Sequence, residues 1–294
     1  CYYKKEFSEK IFQTVLATAD DPVLSVRISA LNYMAYLMYL DKEKTLEVFL
    51  KYVSGDKEEE IYQYSINTAQ YLARYRFESL ISYFKSVLNC EKENENLSII
   101  FAVAWLNNKP GSNELLQESL NKSNKTKAKM IDVAVKNYIK ADDVTKQKCL
   151  QLFCMFLEND SKEIVQEYNG AFLHDMLPEH FEDYFVLLTK YHTSKVAKRD
   201  PHHYFDYLIK CSKQHPEKCI DLISRYNEYD KPNHFTGPYY DGSEPIKIVI
   251  GSLNGLYEAE SKNMVYINKA INLFDEMLQS SIFRGSAFDV LNKI

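Results

Sequence analysis

The chain has 294 residues, of which 46% are hydrophobic and 26% charged, and its net charge is −5. That balance excludes intrinsic disorder and counts against a dedicated nucleic-acid binder, whose charge is ordinarily basic. Cysteines scattered at 1, 90, 149, 154, 211 and 219 exclude a disulfide-dense scaffold, and no apolar run reaches the roughly 18 residues of a membrane span.

Helical periodicity starts near the beginning of the chain. Phe7, Ile11, Val15 and Leu16 form one apolar stripe, and Asp20-Asp21-Pro22 is predicted to cap and start a second helix. Val23, Val26, Ala30, Leu31, Met34, Leu37 and Met38 are expected to be its buried face. Asp41 opens a shorter helix with Leu46, Phe49, Leu50 and Val53 inward. Ser54-Gly55-Asp56 ends it and begins a fourth helix, carrying Ile61, Ser65, Ala69 and Leu72. The links are short, as in antiparallel helix hairpins.

These four helices echo one another at an offset of 35 residues. Asp21 corresponds to Asp56, Ile11 to Leu46, Val15 to Leu50, Val26 to Ile61, Leu31 to Ile66 and Leu37 to Leu72. A fixed period in this range signals stacked repeats, each in contact with its neighbours only. The echo fades after about residue 74. Further helices are predicted near 77–89, 95–107, 112–122, 126–139, 143–158, 161–170, 179–193, 201–214 and 216–227, with a break at Lys109-Pro110-Gly111. Tyr229 to Glu244 interrupts the rhythm with two prolines, two glycines and the pair Tyr239-Tyr240. Such a long loop in a tight array is a candidate binding element. Ile246 to Leu256 keeps helical spacing despite its β-branched residues, and helices near 263–280 and 282–292 close the chain. The expected organisation is therefore helical repeats over 1–228, an irregular loop over 229–244 and a C-terminal helical cap over 245–294.

Asp21, Pro22, Val26, Arg27, Ala30 and Leu31 together carry the sharpest motif. The order aspartate, proline, valine-arginine, small residue, leucine resembles the HEAT family of helical repeats. The match is good over about 5–40 and partial over 41–74, where Tyr62 replaces the arginine and Ser65 the alanine. The resemblance implies an all-α, right-handed α-solenoid of antiparallel helix hairpins, HEAT/armadillo-like. Arg27 is expected to donate to a carboxylate or carbonyl at the turn of a neighbouring unit, a structural role. A second resemblance, over about the last 60 residues, rests on Gly237-Pro238-Tyr239-Tyr240-Asp241-Gly242, Leu273 to Leu278 and Arg284-Gly285. These look like the C-terminal repeats of bacterial STAND-type NTPases, in which repeats sense a trigger and a separate nucleotide-binding module switches. This chain has no G-x-x-x-x-G-K-[ST] run that could cradle phosphates.

Catalytic and metal patterns are sparse. His202 and His203 are adjacent and diverge by about 100° on a helix, so they are not expected to chelate together. Cys211, His215 and Cys219 are spaced four apart, but Pro216 interrupts them and a fourth ligand is missing. Glu179, Glu182 and Asp183 suit a helix start. Cys149 and Cys154 point apart on one helix, and the cysteines are read as free thiols of a reducing compartment. The lysines at 122, 125, 127, 129, 136 and 140 are read as a solvated face, with phosphate contact as the alternative. Trp105 follows Phe101 and Ala102 into the core. The 23 tyrosines admit two readings, an interaction surface or the bias of an AT-rich genome.

The expected function is non-catalytic recognition of a protein partner, as the sensor or scaffold part of a larger cytoplasmic protein. The chain opens on Cys1, from which a fragment is expected. Candidate partner contacts are Tyr239, Tyr240, Tyr33 and Tyr62, and neither cofactor nor metal is expected. The alternative is a HEAT-like nucleic-acid-binding protein or DNA glycosylase, which would need a continuous basic groove.

Overall fold

The computed structural model describes residues 5–54, 58–230, 243–260, 262–279, 287 and 290, with backbone only at 5–7 and 226–230. Helices are the regular elements of the described residues, with no strand among them. They divide into two compact units, 1–130 and 131–294.

The first unit contains α1 (Lys5–Ala17), α2 (Leu24–Met34), α3 (Lys42–Ser54), α4 (Glu59–Arg76), α5 (Ile81–Leu88), α6 (Asn96–Leu106) and α7 (Ser112–Ser119). Helix α8 (Asn124–Tyr138) runs across the boundary at residue 130. Alternate helices pack together: α1 on α3, α3 on α5 and α5 on α7 make one layer, and α2 on α4 and α4 on α6 make the other. Each helix buries an apolar stripe between the layers. Phe49, Phe77, Phe84 and Phe101 are fully buried, and the rings of Phe84 and Phe101 meet edge to face at 5.2 Å, a favoured aromatic geometry. Buried polar side chains find backbone partners. Thr68 on α4 donates to the Leu31 carbonyl of α2 at 2.6 Å, and the buried Tyr52 hydroxyl of α3 donates to the Arg27 carbonyl at 2.9 Å.

The second unit contains α9 (Asp143–Cys154), α10 (Lys162–Gly170), α11 (Phe181–Tyr191), α12 (Lys195–Arg199), α13 (His202–Ser212), α14 (Pro216–Asp230), α15 (Ser243–Glu258) and α16 (Met264–Gln279). Here α9 packs on α11, α13 on α15, and α14 on both α15 and α16. Tyrosine builds much of this core: Tyr168, Tyr191, Tyr204 and Tyr207 are fully buried, and Phe172 lies edge-on to Tyr191 at 4.7 Å.

Two features depart from the sequence reading. A short helix, α12, lies in what was expected to be a link. Ser194 caps it by accepting from Ala197 N at 3.1 Å, and Pro201 follows it. A π-helical turn, Ala171–Asp175, extends α10, with Met176 N donating to the Ala171 carbonyl at 2.8 Å.

The repeat outlasts its sequence echo. Hydrogen bonds between corresponding elements join Glu9 to Lys44 over 35 residues, Leu88 to Lys122 over 34, Glu93 to Thr126 over 33, Asn169 to Asp200 over 31 and Glu182 to His215 over 33. The last helices stretch the interval, to 42 residues for His202–Glu244 and 45 for Asp221–Tyr266.

Candidate functional site

In the first unit, α2 and α4 each leave one side uncovered. On α4 the buried residues are Ile61, Ser65, Ile66, Thr68, Ala69, Leu72 and Ala73, so the opposite stripe Glu60, Tyr64, Asn67, Tyr71 and Arg74 faces solvent. Those positions follow the 3.6-residue period one residue wide. On α2 and the 3₁₀ turn after it, Ser29, Asn32, Tyr33, Tyr36 and Tyr39 are exposed, Tyr33 by 69% and Tyr39 by 88%. The rings of Tyr33 and Tyr36 lie 6.3 Å apart, and the Arg74 guanidinium lies 5.8 Å from the Tyr71 ring centroid. Two packed helices thus each present more than one exposed tyrosine, unlike a single exposed side chain.

Beside Tyr64 a groove of about 540 Å³ opens between α4 and the segment before α6. Its walls include Glu59, Glu60, Gln63, Glu93 and Glu95, with Lys92 the one basic group. Some of these carboxylates are engaged. Glu59 accepts from Lys92 N, and Glu93 accepts from Ser123 N and Thr126 Oγ1 at 3.1 and 3.2 Å, which holds its carboxyl below the usual range against the desolvation of its site. The groove is acidic and polar, adjoining an aromatic stripe.

The expected contact residues fall into three groups. Tyr33 belongs to the exposed stripe. Tyr62 is half-buried and packs 6.2 Å from the Tyr83 ring; two residues from Tyr64 it is turned by about 200°, to the other side of α4. Tyr239 and Tyr240 lie outside the described residues. Tyr36, Tyr64 and Tyr71 join Tyr33 at the surface; sequence reasoning missed these three, and the seven-residue spacing of Tyr64 and Tyr71, about two helical turns, is the signal that could have placed that pair on one face.

The motif residues make a turn and a joint. Asp21 Oδ1 accepts from Val23 N at 2.8 Å, and α2 begins at Leu24, beyond Pro22. Arg27 donates to Glu58 Oε2 at 2.7 Å, at the start of α4. Leu31 is fully buried and Ala30 half-buried. Val23 and Val26 depart from the expected buried face: they are 52% and 38% exposed. The helix turns its Leu31–Met34 side inward, and the two valines lie on the side that no described helix covers.

The remaining chemistry is mostly quiet. Burial pushes the Cys149 thiol up to about 11 and Cys211 to about 12, and raises Cys219 as well, so none is poised as a thiolate. His215 is hydrogen-bonded to Glu182 at 2.9 Å and stacked on Phe181, and does not join Cys211 and Cys219 in a metal-type cluster. Trp105 is only partly buried, while Phe101 and Ala102 are in the core. Lys122 donates to the Leu88 carbonyl at 2.6 Å, and Lys136 pairs with Asp132 at 2.5 Å. Contrary to the expectation from angular divergence, His202 and His203 do converge, with ring centroids 5.1 Å apart. Together with Asp206 they bring three potential metal ligands within 4.8 Å of one another.

No protein-family model matches this chain, and neither a curated protein nor a solved structure matches it.

Proposed function

We propose that this chain is a non-catalytic module for protein recognition, and that its contact surface is the tyrosine stripe Tyr33, Tyr36, Tyr64 and Tyr71. The all-α, hairpin-packed fold suits such a scaffold, and the observation that carries the reading is the exposed stripe beside an acidic groove. Tyrosine offers a large rigid contact with a wet hydroxyl and is enriched at protein interfaces. Glu60 and Glu95 give the groove a sign: it favours lysine or arginine side chains and repels phosphates. The occupant is therefore a basic segment of a partner protein, its cations seated between carboxylates and tyrosine faces. The finer reading is a right-handed HEAT/armadillo-like α-solenoid with repeats over 1–228 and a cap over 245–294. In that reading it is the cytoplasmic sensor or scaffold part of a larger protein, of the kind found in STAND-type NTPases.

A peptide-display selection on the full chain tests this. Enriched peptides are expected to be rich in lysine and arginine. Tyr71→Ser is expected to weaken them by at least about thirty-fold, the scale of a central hot spot of about 2 kcal/mol, and Glu60→Gln by less. Enrichment of acidic peptides, or binding indifferent to both substitutions, would remove the proposal.

A further inference from the structure

The N-terminal turn of α13 holds a second site, unrelated to the tyrosine stripe. His202, His203 and Asp206 occupy positions i, i+1 and i+4, so on a helix Asp206 falls between the two histidines and all three fit within an arc of about 100°. The structure brings one donor atom of each within 4.8 Å of the others. His202 Nε2 is 3.5 Å from Asp206 Oδ2. Donors around one tetrahedral zinc ion stand about 3.3 Å apart, given bonds of about 2.0 Å, so that pair is already at ligand spacing.

The surroundings of His202 fit the same reading. Its Nδ1 lies 3.2 Å from Glu244 Oε1, on α15, and the Glu244 side chain is only 7% exposed. The carboxylate accepts a hydrogen bond from Nδ1–H, which fixes the tautomer that leaves the Nε2 lone pair for a metal. A metal-bound histidine commonly has a carboxylate behind it in this way, orienting the ring and raising its basicity. His203 Nδ1 is buried and makes no hydrogen bond to any described residue. The N-terminus of a helix disfavours a cation, and here the carboxylates of Asp206 and Glu244 offset it.

We propose that His202, His203 and Asp206 bind a divalent transition-metal ion, with Glu244 as the residue that positions His202. Two imidazoles and one carboxylate suit Zn²⁺ better than Ca²⁺ or Mg²⁺, which prefer all-oxygen sites. His202 and Asp206 are each about two-fifths exposed, so a fourth position opens to water or to a ligand from a partner.

The test is titration of the full chain with Co²⁺ and Zn²⁺, read by calorimetry and by the visible ligand-field spectrum of cobalt. The expected result is one equivalent bound, with a four- or five-coordinate cobalt spectrum that Zn²⁺ abolishes. His203→Ala and Asp206→Asn are expected to weaken binding more than tenfold, and Glu244→Gln by about 10- to 100-fold, with the far-ultraviolet circular dichroism unchanged. Should a variant fail to fold, the wild-type spectrum still decides. Absence of a stoichiometric cobalt spectrum would overturn the site. So would an intense thiolate charge-transfer band, or binding unaltered in folded His203→Ala and Asp206→Asn chains; in each case His202 merely bridges two carboxylates.

Discussion

His192, at the end of α11, is 2% exposed. Its Nδ1 lies 3.2 Å from the Leu188 carbonyl, which can only accept, so Nδ1 carries the proton and Nε2 is left with a lone pair. Nε2 is buried and has no hydrogen-bond partner among the described residues. Protonation would place a charge there with nothing to receive it. Burial, followed by the positive charge of Arg225, therefore holds the imidazole below its ordinary range, against the opposing pull of the Leu188 carbonyl. With the folded value below the unfolded one, the unfolded chain binds the extra proton, so this contribution is complete above the unfolded value of about 6.5 and is lost as the pH falls toward the folded value. Urea denaturation between about pH 7.5 and about pH 5 is expected to show wild-type stability falling more steeply than that of His192→Gln. Equal slopes would mean that His192 is protonated without penalty in the folded chain.

Helix–helix spacing is tested most sharply where α15 meets the end of α13. Gly251 and Gly255 lie four apart, on one side of α15. A Cβ on Gly255 would come within 2.2 Å of the Lys213 carbonyl oxygen, and one on Gly251 within 2.2 Å of Ser212 Oγ. The obstacles differ in kind, since the serine hydroxyl can rotate away and the backbone carbonyl cannot. Gly255→Ala is expected to cost about 2–3 kcal/mol and Gly251→Ala about 1 kcal/mol or less, once the gain in helix propensity is included. Thermal denaturation of the two variants checks the order, and a reversed order would mean that α15 shifts along α13. The sequence spoke clearly at this scale wherever a helix had an apolar stripe: α3, α4 and α10 lie close to where the spacing of their leucines, valines and isoleucines put them. It was silent on α12, because five residues are too few to display a period, and on the π-turn after α10, whose residues look like ordinary helix. Periodicity also could not say which side of α2 a neighbour would cover. Hence Val26 was placed inside and emerged exposed, and Tyr62 was chosen as a contact although Tyr64 and Tyr71 are the exposed tyrosines of α4. The histidine cluster was missed, because the adjacency of His202 and His203 argued against chelation and Asp206, four residues after His202 on the same helix, was not weighed with them; Glu244, 42 residues later, is brought to them only by the packing of α15 on α13.

Across the whole chain, the repeat persists in hydrogen-bond spacing long after sequence similarity has decayed. A stacked array asks of each unit only an apolar seam and a few joints, and many residues satisfy both. Arg27–Glu58 in the first unit and Glu182–His215 in the second are such joints built from different side chains. The same freedom bears on partner class. A nucleic-acid groove would require cations held for phosphates, yet Lys122 is turned onto a backbone carbonyl, and Lys136, Lys213 and Lys269 are paired with carboxylates. Each phosphate neutralised by a lysine or arginine contributes about −0.9 to the slope of log K against log salt. A groove making about six such contacts would therefore lose about a thousand-fold in affinity between about 50 and 200 mM salt. With a net charge of −5 and the acidic groove beside Tyr64, the expected result of a duplex-DNA titration is no saturable binding even at the lower salt. Basic peptides from the display selection should instead weaken as salt rises, because their cations would exchange with counterions of the groove carboxylates. A steep negative salt slope with DNA, retained in Tyr71→Ser, would transfer the function to the nucleic-acid alternative and leave the tyrosine stripe without a role in it.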